Sequence, residues 1–328
     1  MLDRPLPYIG AMIESSRGAN TVSAALHKTT GDRWAIGALL GGALLIALAP
    51  IFVRLSETGP TATGFWRLAL AAPVLIVWDR LYRARSGTSW RPSRAGLGLL
   101  AAGTCFAGDL AAWHTSIELT SVANATLLAN AAPIFVAAAA WAWLGEKPGL
   151  RFIAGLGLAI VGGVLLARES AGVQLHLAGD ALGLLTAVFY AGYMLVVKIL
   201  RARLSTSTVL AGSTAVGALI LLSLALAFGD TMLPATFGGW SVLIGLALLS
   251  QVCGQGLIAW AIGHLTASFS ALGLLSQTVA AAALAWILFG ESFTILQSIG
   301  LILVAVGLVV ARASDTAAPP LARKRSPV

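Results

Sequence analysis

Long apolar runs make up most of the chain, and charged residues or glycine and proline clusters separate them. A helix needs about 20 apolar residues to cross the hydrocarbon core of a bilayer. The pattern predicts ten such helices, over residues 34–55, 60–81, 95–118, 121–145, 150–168, 180–200, 206–228, 239–263, 266–290 and 294–312. Membrane barrels alternate apolar and polar residues, and these runs do not. The prediction is therefore an all-α polytopic membrane protein.

The two ends of the chain and its centre lack such runs. Residues 1–33 are polar and of mixed charge, without the continuous apolar stretch of a signal peptide, and residues 313–328 are rich in Pro, Ala and Arg. We predict that both ends are disordered tails. Residues 169–179 are predicted to form a loop that connects two halves of the chain, residues 34–168 and 180–312.

The basic residues predict an orientation. Ten helices place both termini on one side of the membrane, together with every Lys and Arg except Arg54, Arg67 and Arg168. Loops rich in Lys and Arg stay in the cytoplasm. We therefore expect a multi-pass protein of the cell inner (plasma) membrane with both termini cytoplasmic.

Composition supports the membrane class and narrows the partners. The chain has 328 residues, of which 58% are hydrophobic and only 10% charged, whereas a soluble protein has about a quarter charged residues. The net charge of +8 follows from the orientation and favours contact with anionic membrane lipid rather than with nucleic acid. Cys105 and Cys253 both lie in apolar runs, so no disulfide framework and no metal site is expected.

The two halves of the chain repeat each other. A shift of 145 residues places Trp141, Gly145 and Glu146 on Trp286, Gly290 and Glu291, and it places Gly155 and Gly162 on Gly300 and Gly307. Since five helices are an odd number, the second unit must enter the membrane from the opposite side. Inverted repeats of this kind are typical of secondary transporters, which bind substrate between the halves. The glycine pairs predict close packing of helices, with a dimer seam as the alternative.

Several of these residues lie in motifs of a known family. The segments SIELTSVANATLLANAAPIFVAAAAWAWLGEK (116–147), HLTASFSALGLLSQTVAAAALAWILFGES (264–292) and GFWRLALAAP (64–73) resemble the EamA-type branch of the drug/metabolite transporter superfamily. The resemblance covers residues 34–312 and implies ten helices in two five-helix units that transport small metabolites. One departure is Thr278, where the second unit of the family often has proline. If proline kinks assist gating, the halves should move unequally.

Polar residues inside the spans are the candidates for a substrate pathway, because an ionisable group in a bilayer is costly. Asp109 lies deep in the third span and shares a helix face with Phe106 and Trp113. It is the candidate for proton coupling, and a structural pairing with Arg67 is the alternative. Further pathway candidates are Trp66, Arg67, His114, Asn130, Tyr190, Tyr193, Gln251, Gln255 and Trp260, and Arg67 could bind an anionic group of the substrate. Asn130 lies one turn before Pro133, which is expected to kink the fourth span. Each of these residues can instead serve helix packing.

The sequence thus predicts a secondary active transporter of a small metabolite, such as an amino acid, a nucleobase or a drug-like compound, and the resemblance implies export. The chain has no GxxxxGK phosphate loop, which would indicate direct use of ATP. No cofactor is expected. A channel or facilitator is the alternative. An intramembrane enzyme is a distant third, since the chain has no HExxH or GxSxG motif. The sequence leaves open the substrate, the coupling ion and whether the protein is a monomer or a homodimer.

Overall fold

The computed structural model describes residues 33–87, 92–120, 125, 128–145, 147–168, 177–280 and 294–315. Every regular element in these residues is a helix. In chain order they are α1 (Arg33–Arg54), α2 (Pro60–Ser86), α3 (Pro92–Leu119), α4 (Ala132–Leu144), α5 (Leu150–Arg168), α6 (Leu177–Arg201), α7 (Thr206–Phe228), α8 (Phe237–Ile262), α9 (Ala267–Ala280) and α10 (Ile295–Asp315). The predicted all-α class is confirmed.

Six of these helices, α1, α2, α3, α6, α7 and α8, are long and apolar enough to cross a membrane. The other four contain shorter apolar segments, over Ala132–Leu144, Leu150–Leu165, Ala267–Ala280 and Ser298–Ala311. The count of ten spans therefore stays a prediction. Residues 1–32, 169–176 and 316–328, which hold most of the predicted tails and loop, lie outside the described residues, as do Glu146 and Glu291.

Helix ends follow from local chemistry. The side-chain oxygens of Ser205, Thr236 and Thr266 each accept a hydrogen bond from a backbone N–H three residues later, which caps α7, α8 and α9 at their N-termini. Gly87 and Gly229 end α2 and α7 in the left-handed conformation, which glycine adopts without strain. α2 continues to Ser86, beyond the predicted limit of 81, because hydropathy marks the hydrocarbon core and not the end of a helix.

α5 and α10 show how the two halves are related. A Cβ atom at Gly155 would meet the Gly307 carbonyl oxygen, and one at Gly162 would lie 2.6 Å from the Gly300 carbonyl oxygen. The early part of each helix thus meets the late part of the other, so the two run antiparallel. The repeat equates Gly155 with Gly300 and Gly162 with Gly307, so each contact is the symmetry mate of the other. A twofold axis perpendicular to the helices relates these partners, and the repeats are inverted. The predicted packing of the glycine pairs is confirmed.

The remaining contacts follow the same symmetry. α3 packs on α6 and α7, α2 packs on α7, and α4 packs on α6. In the second half, α8 packs on α2, and its Gly254 lies against Gly42 and Ile46 of α1. We call the side where α2, α6 and α10 end the basic face, because Arg80, Arg83, Lys198, Arg201 and Arg203 lie there. The side where α1, α3 and α7 end is called the opposite face.

Three helices are interrupted at the same depth. α1 breaks into a turn at Ala47 and Leu48, the chain turns at Asn130 and Ala131 before α4, and α9 turns at Leu274 and Leu275. α8 adopts π-helical geometry over Leu246–Gly254. Such breaks are tolerated in a bilayer only where the backbone is buried in protein or lines a cavity. They mark the position of the site described next.

Candidate functional site

A cavity of about 160 Å³ lies between the two halves, at the level of the helix breaks. Helices α1, α2 and α3 and the turn before α4 form its wall on the side of the first half, and α6, α8 and α9 form the other wall. The predicted pathway residues among those that line it are Arg67, Phe106, Asp109, Trp113, Asn130, Tyr190 and Gln255. The structure therefore brings together seven residues that are spread over nearly 190 positions of the sequence.

Asp109 presents its carboxylate to this cavity. Phe106, Asp109 and Trp113 line the cavity together, as their spacing on α3 predicts. Asp109 is 8% exposed, and its carboxylate has no hydrogen-bond donor among the described residues. A buried carboxylate without a donor is costly. Its free oxygens are therefore available to a ligand or a proton.

Arg67 lies on α2 and is 3% exposed. Its Nε donates to Oε1 of Gln251 at 3.1 Å, and Nε2 of Gln251 donates to Oγ1 of Thr214 at 3.2 Å. The guanidinium carbon lies 5.8 Å from the centre of the Phe106 ring, which is cation–π geometry. In the described structure no ion pair joins Arg67 to Asp109. Gln251 therefore positions Arg67, and the acid and the base both remain open to the cavity.

Aromatic rings support this pair from the second half. Tyr193 stacks on Phe106 with ring centroids 4.6 Å apart, and Tyr190 stacks on Tyr193 at 6.2 Å. Tyr190 lines the cavity, whereas Tyr193 is buried behind it. The Oε1 atom of Gln255 and the hydroxyl of Tyr193 are buried without a hydrogen-bond partner in the described structure. Such groups are usually satisfied by water or a ligand.

Asn130 connects the fourth helices of the two halves. Its Nδ2 donates to Oγ1 of Thr278 at 3.1 Å, and both residues line the cavity. We expected Asn130 to act beside the kink at Pro133. The chain does turn just before that proline, but the amide bonds across to α9 instead. Thr278, which stands where the second unit of the family often has proline, is therefore the partner of Asn130.

Three predicted residues lie away from the cavity. Nε1 of Trp66 donates to the Met232 carbonyl at 2.6 Å, in the loop between α7 and α8. Nδ1 of His114 donates to the Pro60 carbonyl at 2.6 Å, at the start of α2. Trp260 packs on His264 near the basic face, with ring centroids 4.3 Å apart. None of the three lines the cavity. Trp66 and His114 link structural elements, and Trp260 packs at the end of its own helix.

Sequence reasoning missed some polar residues of the wall. Thr186, Gln277 and Thr278 line the cavity. Thr186 precedes Tyr190 by four residues, so it lies on the same face of α6, and this spacing was a usable signal. Gln277 gave no signal, because the turn at Leu274 and Leu275 sets its direction. Ala47 and Pro50, at the break in α1, complete the wall.

The chemistry of the cavity suits binding of a polar organic solute. A carboxylate and a guanidinium line one cavity without an ion pair between them in the described structure, and aromatic rings and amide side chains line the same cavity. Among the described residues no group of three His, Cys, Asp or Glu side chains could hold a metal ion. The wall therefore supplies charge, hydrogen bonds and ring faces to whatever enters it.

Comparison with known proteins decides the family. The model of the EamA-like transporter family matches twice, over residues 33–168 and again over residues 177–313. The chain belongs to the EamA-like transporter family. It is a multi-pass membrane transporter of small solutes, and the resemblance seen in the sequence is confirmed.

Relatives of known name agree with this family. The pseudopaline exporter CntI of Pseudomonas aeruginosa is 28% identical over 211 residues, which cover 64% of this chain and 73% of the exporter. The uncharacterized transporter YwfM of Bacillus subtilis is 28% identical over 273 residues, which cover 82% of this chain and 88% of that protein.

A solved crystal structure aligns with 86% of this chain and 98% of its own, with a TM-score of 0.70 and 18% sequence identity. At this identity the likeness shows the shared fold alone.

Proposed function

We propose that this member of the EamA-like family is a secondary active exporter of a small metabolite, working by alternating access in the cell inner membrane. The observation that carries the proposal is the cavity between two inverted repeats, with Asp109 and Arg67 on its wall. Transporters built from inverted repeats bind their substrate at this place. Export is supported by the CntI relative, which is named as an exporter.

The substrate carries both a cationic and an anionic group, as an amino acid does. Asp109 receives the cation and Arg67 the anion, because planar guanidinium groups bind carboxylates in a bidentate manner. Phe106 and Trp113 supply ring faces beside the two charges. A substrate with only one charge leaves the other charge of the wall buried and unpaired, which costs affinity.

Asp109 also couples transport to protons. A carboxylate that faces a cavity open in turn to either side can exchange a proton there. A proton from outside would bind Asp109 and displace the cationic group of the substrate. Release of that proton to the inside would free the carboxylate to bind another substrate molecule. Both termini are cytoplasmic in this proposal, because the basic face faces the anionic cytoplasmic leaflet.

Uptake into inverted membrane vesicles tests the proposal, using metabolites that cells lacking the protein retain. Each transported compound is compared with its N-acetyl form and its methyl ester, which remove one charge at a time. We expect both derivatives to lose at least about tenfold in apparent affinity, because each loses a charge-assisted contact.

Variants assign the two charges. Asp109→Asn is expected to lose discrimination against the N-acetyl form, and Arg67→Gln against the ester. Equal transport of the parent compound and both derivatives by the wild type would contradict a site that recognises two charges.

A further inference from the structure

The first helix of the second half is fastened at its end. Nζ of Lys198 donates to the Ile262 carbonyl at 3.0 Å and also to the Leu265 carbonyl. Nε of Arg201 donates to the Ala259 carbonyl at 3.1 Å. These contacts join the end of α6 to the end of α8 and the turn into α9. They lie on the basic face, at the end of the helix whose Thr186 and Tyr190 line the cavity.

The receiving carbonyls belong to the last turn of α8. In the last four residues of a helix, carbonyl groups lack intrahelical partners. Backbone N–H groups of the following turn satisfy Trp260 and Ala261. The side chains of Arg201 and Lys198 satisfy the other two, Ala259 and Ile262. Two cations at the negative end of a helix are well placed, so these hydrogen bonds hold the ends of α6 and α8 together on the basic face.

The first half has the same parts in a different arrangement. Arg54 is the last residue of α1, as Arg201 is the last residue of α6. Arg54 is exposed and makes no hydrogen bond or ion pair in the described structure. The end of α3 at Leu119, which corresponds to the end of α8, lies on the same opposite face. In the second half, Arg201 bonds to the end of α8 on the basic face. Arg54, its counterpart in the first half, does not make the equivalent contact with the end of α3 on the opposite face among the described residues.

α1 also has a hinge that α6 lacks. Pro50 cannot donate to the Ile46 carbonyl, and the helix turns at Ala47 and Leu48 before it resumes over Ala49–Arg54. Oγ of Ser250 donates to the Leu45 carbonyl at this break. The short segment that carries Arg54 can therefore change direction at the cavity wall, whereas α6 is continuous from Leu177 to Arg201.

The geometry points to Lys198 and Arg201 as the gate residues of the basic face and to Arg54 as the gate residue of the opposite face. In an inverted repeat, the second conformation arises when each half takes up the arrangement of the other. The segment Ala49–Arg54 then turns about the hinge, and Arg54 donates to the last carbonyls of α3. At the same time Lys198 and Arg201 release α8. This inference rests on the proposed alternating access and adds the residues that hold each state.

The test measures from which side the cavity can be reached. Cys105 and Cys253 are replaced by alanine, and Gln277, which lines the cavity, is replaced by cysteine as the reporter. A membrane-impermeant maleimide is applied to intact cells or to inverted vesicles, and both labelling rates are measured. With the basic face closed, we expect the unaltered gates to allow labelling mainly from the opposite face.

The gate variants should shift this ratio in opposite directions. Lys198→Gln with Arg201→Gln is expected to raise labelling from the basic face relative to the opposite face by about tenfold or more, since charge-assisted hydrogen bonds of one state are lost. Arg54→Gln is expected to lower the ratio of labelling from the basic face to labelling from the opposite face. Arg54 makes its contact only in the state that is open to the basic face, so only that state is destabilised. Arg54→Lys keeps a donor and should stay close to the parent protein.

Arg203→Gln is the matched control, since Arg203 is exposed on the basic face only two residues after Arg201. An unchanged ratio in the double variant, or the same shift in Arg203→Gln, would overturn the assignment. If the double variant does not insert, Arg54→Gln decides alone, because an exposed side chain without contacts is not needed for folding.

The readout separates this inference from the proposed function. The labelling ratio needs no substrate, so it can respond as expected even if no transported solute is found. Transport that proceeds normally while the gate variants leave the ratio unchanged would contradict the gates alone.

Discussion

The two buried acids in the described helices have opposite surroundings. Asp79 is 5% exposed and accepts hydrogen bonds from Arg83, from Ser207 at 3.1 Å and from Thr208 at 2.6 Å. Asp109 is similarly buried and has none. Sequence reasoning singled out Asp109, which lies deep in the third span, and did not consider Asp79, which lies two turns before the end of α2. Arg83 lies four residues from Asp79 on α2, so this pair was a usable local signal. The other two donors, Ser207 and Thr208, lie some 130 positions away in the sequence, and no local pattern reveals them.

A third carboxylate, Glu57, joins the halves outside the membrane-spanning segments. It accepts hydrogen bonds from the backbone N–H groups of Ala235 and Thr236, at 2.8 and 3.0 Å, and from the Thr236 hydroxyl. The Thr236 hydrogen bonds hold the pKa of Glu57 below its ordinary value. Because the folded pKa is lowered, this contact contributes stability above the ordinary carboxyl pKa and loses it as the pH falls through the lowered value.

We therefore expect hydrogen-exchange protection of the Ala235 and Thr236 amides to fall on acidification into the range of the lowered pKa. Glu57→Gln should reduce protection already at neutral pH and make it independent of pH in that range. Asp230→Asn is the comparison, since Asp230 lies in the same loop and accepts a hydrogen bond from the Ala62 amide in the first turn of α2. Protection of Ala235 that is unchanged by Glu57→Gln at neutral pH would show that the carboxylate does not hold this loop.

At the scale of elements, the helix breaks were only partly predictable. Pro133 indicated the turn before α4, because proline cannot continue the hydrogen-bond pattern. The matching turn in α9 has no proline. There the Ser276 hydroxyl donates to the Gly273 carbonyl at 2.7 Å, and the amides of Gln277 and Thr278 bond to Leu274 and Leu275. The sequence predicted most helix limits to within about five residues, but the described part of α4 begins at Ala132 rather than 121, and that of α9 ends at Ala280 rather than 290. Pro50 was a usable signal for the hinge in α1 that was missed, whereas no local residue pattern predicted the π-helical stretch of α8.

The crossing of α5 and α10 depends on glycine. In Gly155→Ala, the added Cβ would meet the Gly307 carbonyl oxygen and lie 2.8 Å from the Ala311 Cβ. The two helices must then move apart, and overpacking of this kind costs about 1–3 kcal/mol. We expect a lower thermal unfolding temperature in detergent and a lower yield of folded protein.

Gly157→Ala provides the matched control on the same helix. No atom lies within 4 Å of a Cβ built there, and alanine favours a helix over glycine by about 1 kcal/mol. Gly157→Ala should therefore be neutral or stabilising. Equal unfolding temperatures of Gly155→Ala and Gly157→Ala would argue against a close α5–α10 contact in the membrane.

At the scale of the whole molecule, the repeat in the sequence was enough to predict inverted halves, because an odd number of helices forces the inversion. The orientation in the membrane is a separate prediction. With the basic face in the cytoplasm, Thr231 in the loop between α7 and α8 is external and Ser314 near the end of α10 is cytoplasmic. A cysteine at Thr231 should react with an impermeant thiol reagent on intact cells, and one at Ser314 only after lysis. The reverse pattern would invert the topology without changing the fold.

The site was less predictable than the fold. Seven of the twelve pathway candidates line the cavity, because polar residues inside spans tend to face a shared interior. Of the other five, Trp66 and His114 bond to carbonyls distant in the sequence, Gln251 and Tyr193 lie behind the wall against Arg67 and Phe106, and Trp260 packs on His264. That no ion pair joins Arg67 to Asp109 in the described residues also required the structure, which shows the Nε–H of Arg67 bonded to Gln251 instead.

The central claim is that Asp109 couples proton movement to solute movement through this cavity. The direct test uses proteoliposomes that contain the wild type, Asp109→Asn or, as a control on the same helix, Glu118→Gln, where Glu118 is exposed. Accumulation driven by a pH gradient and exchange at equal pH are measured with the same transported solute. The account predicts that Asp109→Asn loses gradient-driven accumulation and its pH dependence, while the folded protein and Glu118→Gln transport are retained. Accumulation by Asp109→Asn at the wild-type rate, with unchanged pH dependence, would contradict it.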